Sequence, residues 1–282
     1  MISVVVPVRN GMPWLDEQLR ALSAQKCPVP WEVVVADNGS ADESGMVARE
    51  WASRCHLIRL VDASRVQGPG ATRNVGVSEA RGELLAFCDA DDVVQPGWLS
   101  AHVSALAEAD ISAGVFEPWS LNGLEAPAGR MHAPPPALGL FGFLPAAGTN
   151  NMAIRRSVFE SVEGFSVELM TGEDFDLSWR VQLAGFRYAL TGGAVIARRD
   201  RQGFRAVFRR YVEYGRCGPV LYLRFRSDGL QPDLWTAVKT WVWLVVTSPG
   251  IVRPQFRDRW ARIAGWRTGR LVESLRQRVL FL

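Results

Sequence analysis

Acidic residues directly follow two apolar runs of the sequence, at points where carboxylates suit a divalent cation. Asp37 comes after the run 31–36, and Asp89 and Asp91 come after the run 84–88. If both runs are strands of an open α/β sheet, their carboxyl ends face the ligand crevice, so we expect these carboxylates to converge there. Two carboxylates one residue apart on a turn suit a hard cation, which takes oxygen ligands and keeps positions for phosphate oxygens. Capping a helix or closing an Asx turn is the alternative for any one aspartate, and for Asp37 both interpretations stay open.

A further carboxylate opens a later predicted helix. Asp174 follows Gly172 and Glu173 and precedes an apolar side that includes Leu177 and Trp179. The helix dipole favours a carboxylate in the first turn, so a capping role explains Asp174 by itself. If Asp174 faces a phosphate–metal site, it has the chemistry of a general base.

A glycine-rich segment, GPGATRNVG at 68–76, stands at another predicted helix start. Helix N-termini bind phosphate, and the guanidinium of Arg73 would add a charged fork. The segment matches neither G-x-G-x-x-G nor G-x-x-x-x-G-K-[ST], which argues against a dinucleotide fold and against a P-loop. A tightly packed, capped helix is the alternative.

Alternating strands and helices must position these residues. Apolar runs separated by helical patterns predict a parallel sheet with right-handed crossovers. A Pro- and Gly-rich loop at 125–148 interrupts this regularity, and we expect it to form a lid or a wall of the ligand site with Phe141 and Phe143 facing a crevice. The predicted strands are 3–8, 31–36, 57–61, 84–88 and 111–116, and the predicted division of the chain is 1–117, 118–200 and 201–282.

Composition excludes several classes of protein. The chain has 282 residues, 48% of them hydrophobic and 22% charged, which excludes a disordered or collagen-like protein. The sequence contains no run of about 18 uncharged apolar residues, so it predicts no membrane-spanning helix. The N-terminus shows no basic leader, and the four cysteines are far apart and predict reduced thiols, so we expect a cytoplasmic protein.

The charge is distributed unevenly along the chain. Residues 1–197 carry a formal charge of −9 and residues 198–282 a formal charge of +12. This basic end predicts contact with an anionic surface, and because it has no nucleic-acid-binding motif we expect a membrane rather than a nucleic acid. Three tryptophans lie in the apolar segment 234–247, and an arginine-flanked stripe follows, which predicts a helix lying in the membrane interface. Packing of that helix against the domain is the alternative. The stripe consists of Phe256, Trp260, Ile263, Leu271, Leu275 and Val279.

Taken together, the motifs resemble the family 2 glycosyltransferases of the GT-A fold. Their order and spacing agree over roughly residues 1–200. The resemblance implies an α/β protein with a mixed, mainly parallel sheet flanked by helices, here followed by a basic helical extension. The matching segments are SVVVPVRN at 3–10, VVADNGS at 34–40, A-x-RN-x-G at 71–76, and the segments 84–92, 148–156 and 172–177.

The resemblance also implies a reaction. A sugar would pass from a nucleoside diphosphate sugar to an acceptor hydroxyl with inversion, assisted by Mg²⁺ or Mn²⁺. Asp89 and Asp91 would serve the ribose and the metal, and Asp174 would take the proton from the acceptor. The nucleoside would be held by Asp37 and by the loop formed by Pro7, Val8 and Arg9.

Two departures from the family pattern affect these expectations. Many relatives carry a histidine after the last strand, where this chain has Ala197-Arg198-Arg199, so we expect Arg198 to hold the diphosphate. The Gln-x-x-Arg-Trp motif of processive synthases is absent, which favours the addition of a single sugar. We expect a cell-envelope, glycan or lipid-linked acceptor and a peripheral position at the inner face of the plasma membrane. The alternatives are a catalytically silent nucleotide-sugar-binding or scaffold protein and, ranked last, a sugar-phosphate nucleotidyltransferase.

Overall fold

Continuous apolar runs form the centre of one eight-stranded sheet. The computed structural model describes residues 1–126, 141–201 and 203–282, with the backbone alone at 254 and 255. The strands are β1 (Ile2–Val8), β2 (Trp31–Asp37), β3 (Ile58–Asp62), β4 (Leu84–Cys88), β5 (Val93–Val94), β6 (Ile111–Glu117), β7 (Asn151–Arg155) and β8 (Tyr188–Ala197). Within the described residues their order in the sheet is β3-β2-β1-β4-β7-β6-β8-β5.

The sheet is mixed, as the family resemblance implies, whereas the alternation of apolar runs and helical patterns predicts only its parallel part. Strands β3, β2, β1 and β4 run parallel, whereas β7 is antiparallel to both β4 and β6. Strand β8 is parallel to β6, and the short β5 pairs with the end of β8. Pairing of Val93 with Ala197 therefore brings the chain that follows β8 beside the turn that follows β4.

Helices cover both faces of this sheet, which explains why its central strands carry apolar residues on both sides, with few polar exceptions such as the buried, hydrogen-bonded pair Ser3 and Glu32. Along β1, Val4 and Val6 belong to one buried cluster and Val5 to another on the opposite face. The covering helices are α1 (Leu15–Ser23), α2 (Ser44–Arg54), α3 (Pro69–Glu79), α4 (Trp98–Ala105), α5 (Arg156–Ser161) and α6 (Glu173–Leu183). The first cluster includes residues of α1, α2 and α4, and the second includes residues of α3, α5 and α6.

The chain divides into two compact units. The described residues of Met1–Ala137 and Pro145–Asp200 form the first unit, and those of Leu138–Leu144 and Arg201–Leu282 form the second. The second unit is built from α7 (Phe204–Phe225), α8 (Leu234–Thr247) and α9 (Pro254–Gln277). No helix among the described residues is long and apolar enough to cross a membrane.

Helices α7 and α9 approach each other closely at three glycines. A Cβ atom at Gly215 would lie 2.2 Å from the carbonyl oxygen of Trp266. At Gly265 and Gly269 a Cβ atom would lie 2.5 and 2.1 Å from the carbonyl oxygens of Phe208 and Val212. Any side chain at these positions would collide with backbone, so the absence of a side chain is what permits this crossing.

Most of the predicted loop at 125–148 lies outside the described residues, and its proposed lid role remains a prediction. The expectation for Phe141 is wrong. Its side chain is buried in the second unit, where its ring lies 6.0 Å from the rings of both Trp266 and Phe281. An aromatic residue in a Pro- and Gly-rich segment gives no sequence periodicity that would reveal such an anchor.

Candidate active site

The turn after β4 brings three carboxylates together. Oxygen atoms of Asp89, Asp91 and Asp92 all lie within 4.8 Å of one another. Gln18 holds both ends of this turn from α1, because its Nε2 donates to the carbonyl of Asp89 at 2.9 Å and its Oε1 accepts from the N–H of Val94 at 3.0 Å. The Gln18 side chain is fully buried, so both hydrogen bonds are shielded from water and are stronger than they would be at the surface.

Asp92 is the buried member of the cluster. Its Oδ2 accepts from Asn150 Nδ2 at 3.0 Å, and its Oδ1 accepts from the N–H of Arg199 at 2.9 Å. Burial, together with the charges of Asp89 and Asp91, raises the pKa of Asp92 to about 8. Burial and the neighbouring carboxylates both disfavour the charge of Asp92, and three carboxylates this close repel one another, so a divalent cation that neutralises this charge fits the site.

Arg73 ties the acidic turn to the start of α6. Its Nη2 lies 2.7 Å from Asp89 Oδ1 and its Nη1 lies 2.9 Å from Glu173 Oε1. The Arg73 side chain is only 3% exposed. Burial opposes its charge, but the pKa of Arg73 is raised because the charges of Asp89 and Glu173 outweigh burial. The sequence predicts Arg73 as a phosphate ligand, but in the structure both of its Nη atoms bind carboxylates of the protein itself.

Asp174 lies beside this bridge in the first turn of α6. Its Oδ1 accepts from the N–H of Phe175 at 2.9 Å. Burial and the neighbouring charge of Glu173 raise the pKa of Asp174 to about 7. A carboxylate that titrates near neutral pH has the proton affinity of a general base.

The loop after the undescribed segment borders Asp174. A Cβ atom at Gly148 would lie 4.0 Å from Asp174 Oδ2 and 4.0 Å from the ring of Phe116. Asn150, two residues later, holds Asp92 as described above. The segment 148–150 therefore passes beside the predicted base and contacts the acidic turn.

The two arginines after β8 have different partners. The guanidinium of Arg198, the predicted diphosphate ligand, lies 5.4 Å above the ring of Phe116 and 3.3 Å from Asp200. Its Nε is buried without a hydrogen-bond partner among the described residues. Arg199 instead contacts the acidic turn, since its Nε donates to the carbonyl of Asp91 at 3.1 Å. Its Nη2 lies 2.8 Å from Glu17.

The predicted nucleoside-binding residues lie at neighbouring strand ends. Val8 of β1 pairs in register with Asp37 of β2. Val8 is buried and Arg9 is exposed, while Pro7 is half-buried. Asp37 Oδ1 accepts from both the N–H and the hydroxyl of Ser40, at 3.0 and 2.6 Å, so it also closes the loop that follows β2.

Four site residues escaped sequence reasoning: Gln18, Asn150, Glu173 and Arg199. Gln18 has the pattern of an ordinary polar position on an amphipathic helix, and Asn150 lies in a segment without periodicity. Glu173 and Arg199 are the sequence neighbours of the predicted residues Asp174 and Arg198, and this adjacency is the one feature of the sequence that points to them. Only the pairing of β5 with β8 shows why Arg199 rather than Arg198 contacts the turn.

The eight-stranded sheet and the acidic site at its edge match a known protein family. The model of the family "Glycosyl transferase family 2" matches residues 3–162, more than half of the chain. The protein belongs to glycosyltransferase family 2 and has the GT-A fold, which confirms the resemblance drawn from its motifs.

Particular relatives agree with this assignment. The chain is 29% identical to "Glycosyltransferase AglE" of Haloferax volcanii over 67% of its own length and 63% of the relative. It is 25% identical to "Pre-mycofactocin glycosyltransferase" of Mycobacterium tuberculosis over 87% of its own length and 52% of the relative. The matched part of the chain thus spans between about half and two-thirds of the length of these relatives. Among solved structures, the mannosyltransferase PcManGT from Pyrobaculum calidifontis, in complex with GDP-Man and Mn²⁺, has a TM-score of 0.71 at 18% identity. That similarity covers 97% of this chain and 86% of the other.

Proposed function

We propose that this protein transfers one sugar from a nucleoside diphosphate sugar to an acceptor hydroxyl, with inversion at the anomeric carbon. The observation that carries the proposal is the Arg73 bridge, which joins the acidic turn after β4 to the segment that bears Asp174. A site for the leaving diphosphate and a base for the incoming hydroxyl are thereby held in one rigid network.

The acidic turn is the proposed site of the donor's metal ion. Asp89 and Asp91 would ligate Mg²⁺ or Mn²⁺, and Asp92, held by Asn150 and Arg199, would position them. A bound divalent ion would supply neutralisation of the charge that develops on the leaving diphosphate. Arg198 carries an orphaned buried Nε and remains the proposed contact to the diphosphate. The mannosyltransferase of similar fold was solved with GDP-Man and Mn²⁺, the same class of donor and ion.

Asp174 is the proposed base. Its raised pKa lets it hold a proton taken from the acceptor hydroxyl as the new glycosidic bond forms. A base opposite the departing diphosphate produces inversion, because the hydroxyl attacks the face of the sugar away from the leaving group. The nucleoside is assigned to Asp37 and to the loop of Pro7, Val8 and Arg9, at the neighbouring strand ends.

The acceptor is proposed to be a cell-envelope glycan or a lipid-linked hydroxyl. The basic charge of residues 198–282 supports a peripheral position at an anionic membrane, where such acceptors are found. In this proposal residues 1–117 bind the nucleotide sugar, residues 118–200 form the acceptor side, and residues 201–282 form the basic helical region.

Thermal unfolding with UDP-, GDP- and dTDP-sugars, with and without Mn²⁺, tests the proposal. A donor at about 100 times its dissociation constant adds roughly 2.7 kcal/mol, which raises the melting temperature by about 5–10 °C. We expect this shift for one nucleoside only, and only with the metal. Equal shifts in excess EDTA would overturn the metal assignment. Donor binding without transfer or hydrolysis would identify the catalytically silent alternative.

A further inference from the structure

The second unit carries a concentrated positive charge. Residues 201–282 contain 16 Lys and Arg residues against five Asp and Glu residues, a formal charge of +11. A surface with this imbalance attracts anionic partners and repels a second copy of itself.

Helix α8 presents an apolar face to solvent in the middle of this basic unit. Six side chains of this helix are between 39% and 71% exposed. At 100° per residue they occupy one arc of about 120°. Val252, 87% exposed, continues the apolar surface beyond the end of the helix. The six residues are Leu234, Trp235, Val238, Val242, Val245 and Val246.

The opposite side of α8 is packed, so the exposed face is fixed in orientation. Ala237 and Leu244 are 1% and 3% exposed. From α9, the indole N–H of Trp260 donates to the carbonyl of Leu244 at 3.1 Å, and Arg267 Nη2 donates to Thr240 Oγ1 at 3.0 Å. The packed side and these two hydrogen bonds hold α8 to the unit, while the outer face stays largely exposed.

Cations border the apolar face of α8. Lys239 Nζ lies 5.1 Å from the ring centre of Trp235, and the guanidinium of Arg259 lies 5.4 Å from the ring centre of Trp243. Arg253 is exposed directly after Val252. Tryptophan and cations around an apolar surface are the composition of helices that lie at the boundary between lipid headgroups and acyl chains.

We propose that the outer face of α8 docks on an anionic lipid bilayer, with its valines and Trp235 below the headgroups and Lys239 and Arg253 on the lipid phosphates. With 14 residues α8 is shorter than the roughly 20 that a span requires, so it lies in the plane of the surface. The positive charge of the unit favours an anionic bilayer over a second copy of this chain.

This assignment differs from the sequence expectation, which placed the interface on the α9 stripe. In the structure that stripe is divided: Leu275 is exposed, whereas Trp260 is half-buried and stacks on Phe204 at 6.2 Å. The inference extends the membrane position offered with the proposed function. Vesicle binding requires neither the donor nor the metal, so a negative result for membrane docking would leave the proposed sugar transfer unaffected, and the reverse also holds.

The test is flotation of the full chain with phosphatidylcholine vesicles, with and without phosphatidylglycerol, at low and high salt. We expect binding to the anionic vesicles at low salt and weaker binding at high salt. Val245→Glu should lower binding at least about tenfold, since it puts a carboxylate among the headgroups. Lys239→Gln should lower it about fivefold. Val167→Glu, at a 63%-exposed valine of the first unit, is the matched control and should bind like the parent protein.

Three results would overturn the inference. The first is failure of the parent protein to float with anionic vesicles, and the second is unchanged binding by Val245→Glu with normal helix content. The third is a dimer in solution that Val245→Glu dissociates, because the face would then belong to a second copy. If Val245→Glu does not fold, the salt dependence of the parent and the loss in Lys239→Gln still decide the question.

Discussion

Replacement of Arg73 by methionine removes the only cation that joins Asp89 to Glu173 among the described contacts. Methionine retains much of the aliphatic volume, so the main loss is two charge-assisted hydrogen bonds of 2.7 and 2.9 Å. The Glu173 side chain is 9% exposed and would remain as a buried carboxylate without its partner. Removing one partner of a buried ion pair costs about 3–5 kcal/mol. At roughly 2–4 °C per kcal/mol, the first unit should melt at least about 6 °C lower.

The penalty should depend on pH. Burial and the charge of Asp89 already raise the pKa of Glu173, while Arg73 lowers it. Without Arg73 the folded variant holds a proton on Glu173 well above the pH at which the unfolded chain releases it. Stability of the Arg73→Met protein should therefore fall as the pH rises above the ordinary pKa of glutamate, and the penalty should be smaller at pH 5 than at pH 8.

Urea unfolding followed by circular dichroism measures this penalty, with Arg20→Met as the matched control. Arg20 forms an ion pair with Asp16 at 2.5 Å, but its side chain is 72% exposed. Such surface pairs contribute about 0–1 kcal/mol. Equal destabilisation by the two variants, or a penalty for Arg73→Met that is independent of pH, would refute the assignment of a buried bridging cation.

Further predictions concern the reaction itself. Asp91→Asn should lose donor affinity and activity together, as measured by calorimetry and a transfer assay, and activity that persists in excess EDTA would contradict the metal role. Asp174→Asn should lower kcat by about 10²–10⁴-fold while donor binding is retained; Asp228→Asn, at an exposed aspartate, should change neither. Because the pKa of Asp174 is raised to about 7, kcat of the parent enzyme should decline as the pH falls below 7. A profile that is flat down to pH 5 at saturating donor would argue against Asp174 as the base.

The sequence was sufficient to predict the sheet because its central strands are buried on both faces. Runs such as SVVVPV at 3–8 are continuous in apolar character, and turn residues or helices separate them. Asp89 and Asp91 follow one such run, so their position at a carboxyl edge of the sheet was predictable. The roles of individual site residues remain proposals.

What escaped prediction depends on contacts between distant parts of the chain. Arg73 and Glu173 are 100 residues apart, and no local pattern marks their pairing. In the same way, Pro219 lies inside α7, yet the helix continues to Phe225. Phe141 and Phe281 lie against Gly218, so tertiary packing overrides the local preference.

The glycine crossing of α7 and α9 has a consequence for how the second unit folds. Each glycine inside a helix costs about 0.5–1 kcal/mol relative to alanine, so Gly215, Gly265 and Gly269 make the isolated helices weak. The packing of α7 against α9, which also includes the ring contact of Phe204 with Trp260, offsets that cost, and neither helix gains it alone. Helices α7 and α9 should therefore form together, as one cooperative unit. A peptide of either should be largely unstructured in water, and α8, which rests on α9, should become ordered only after the pair has formed.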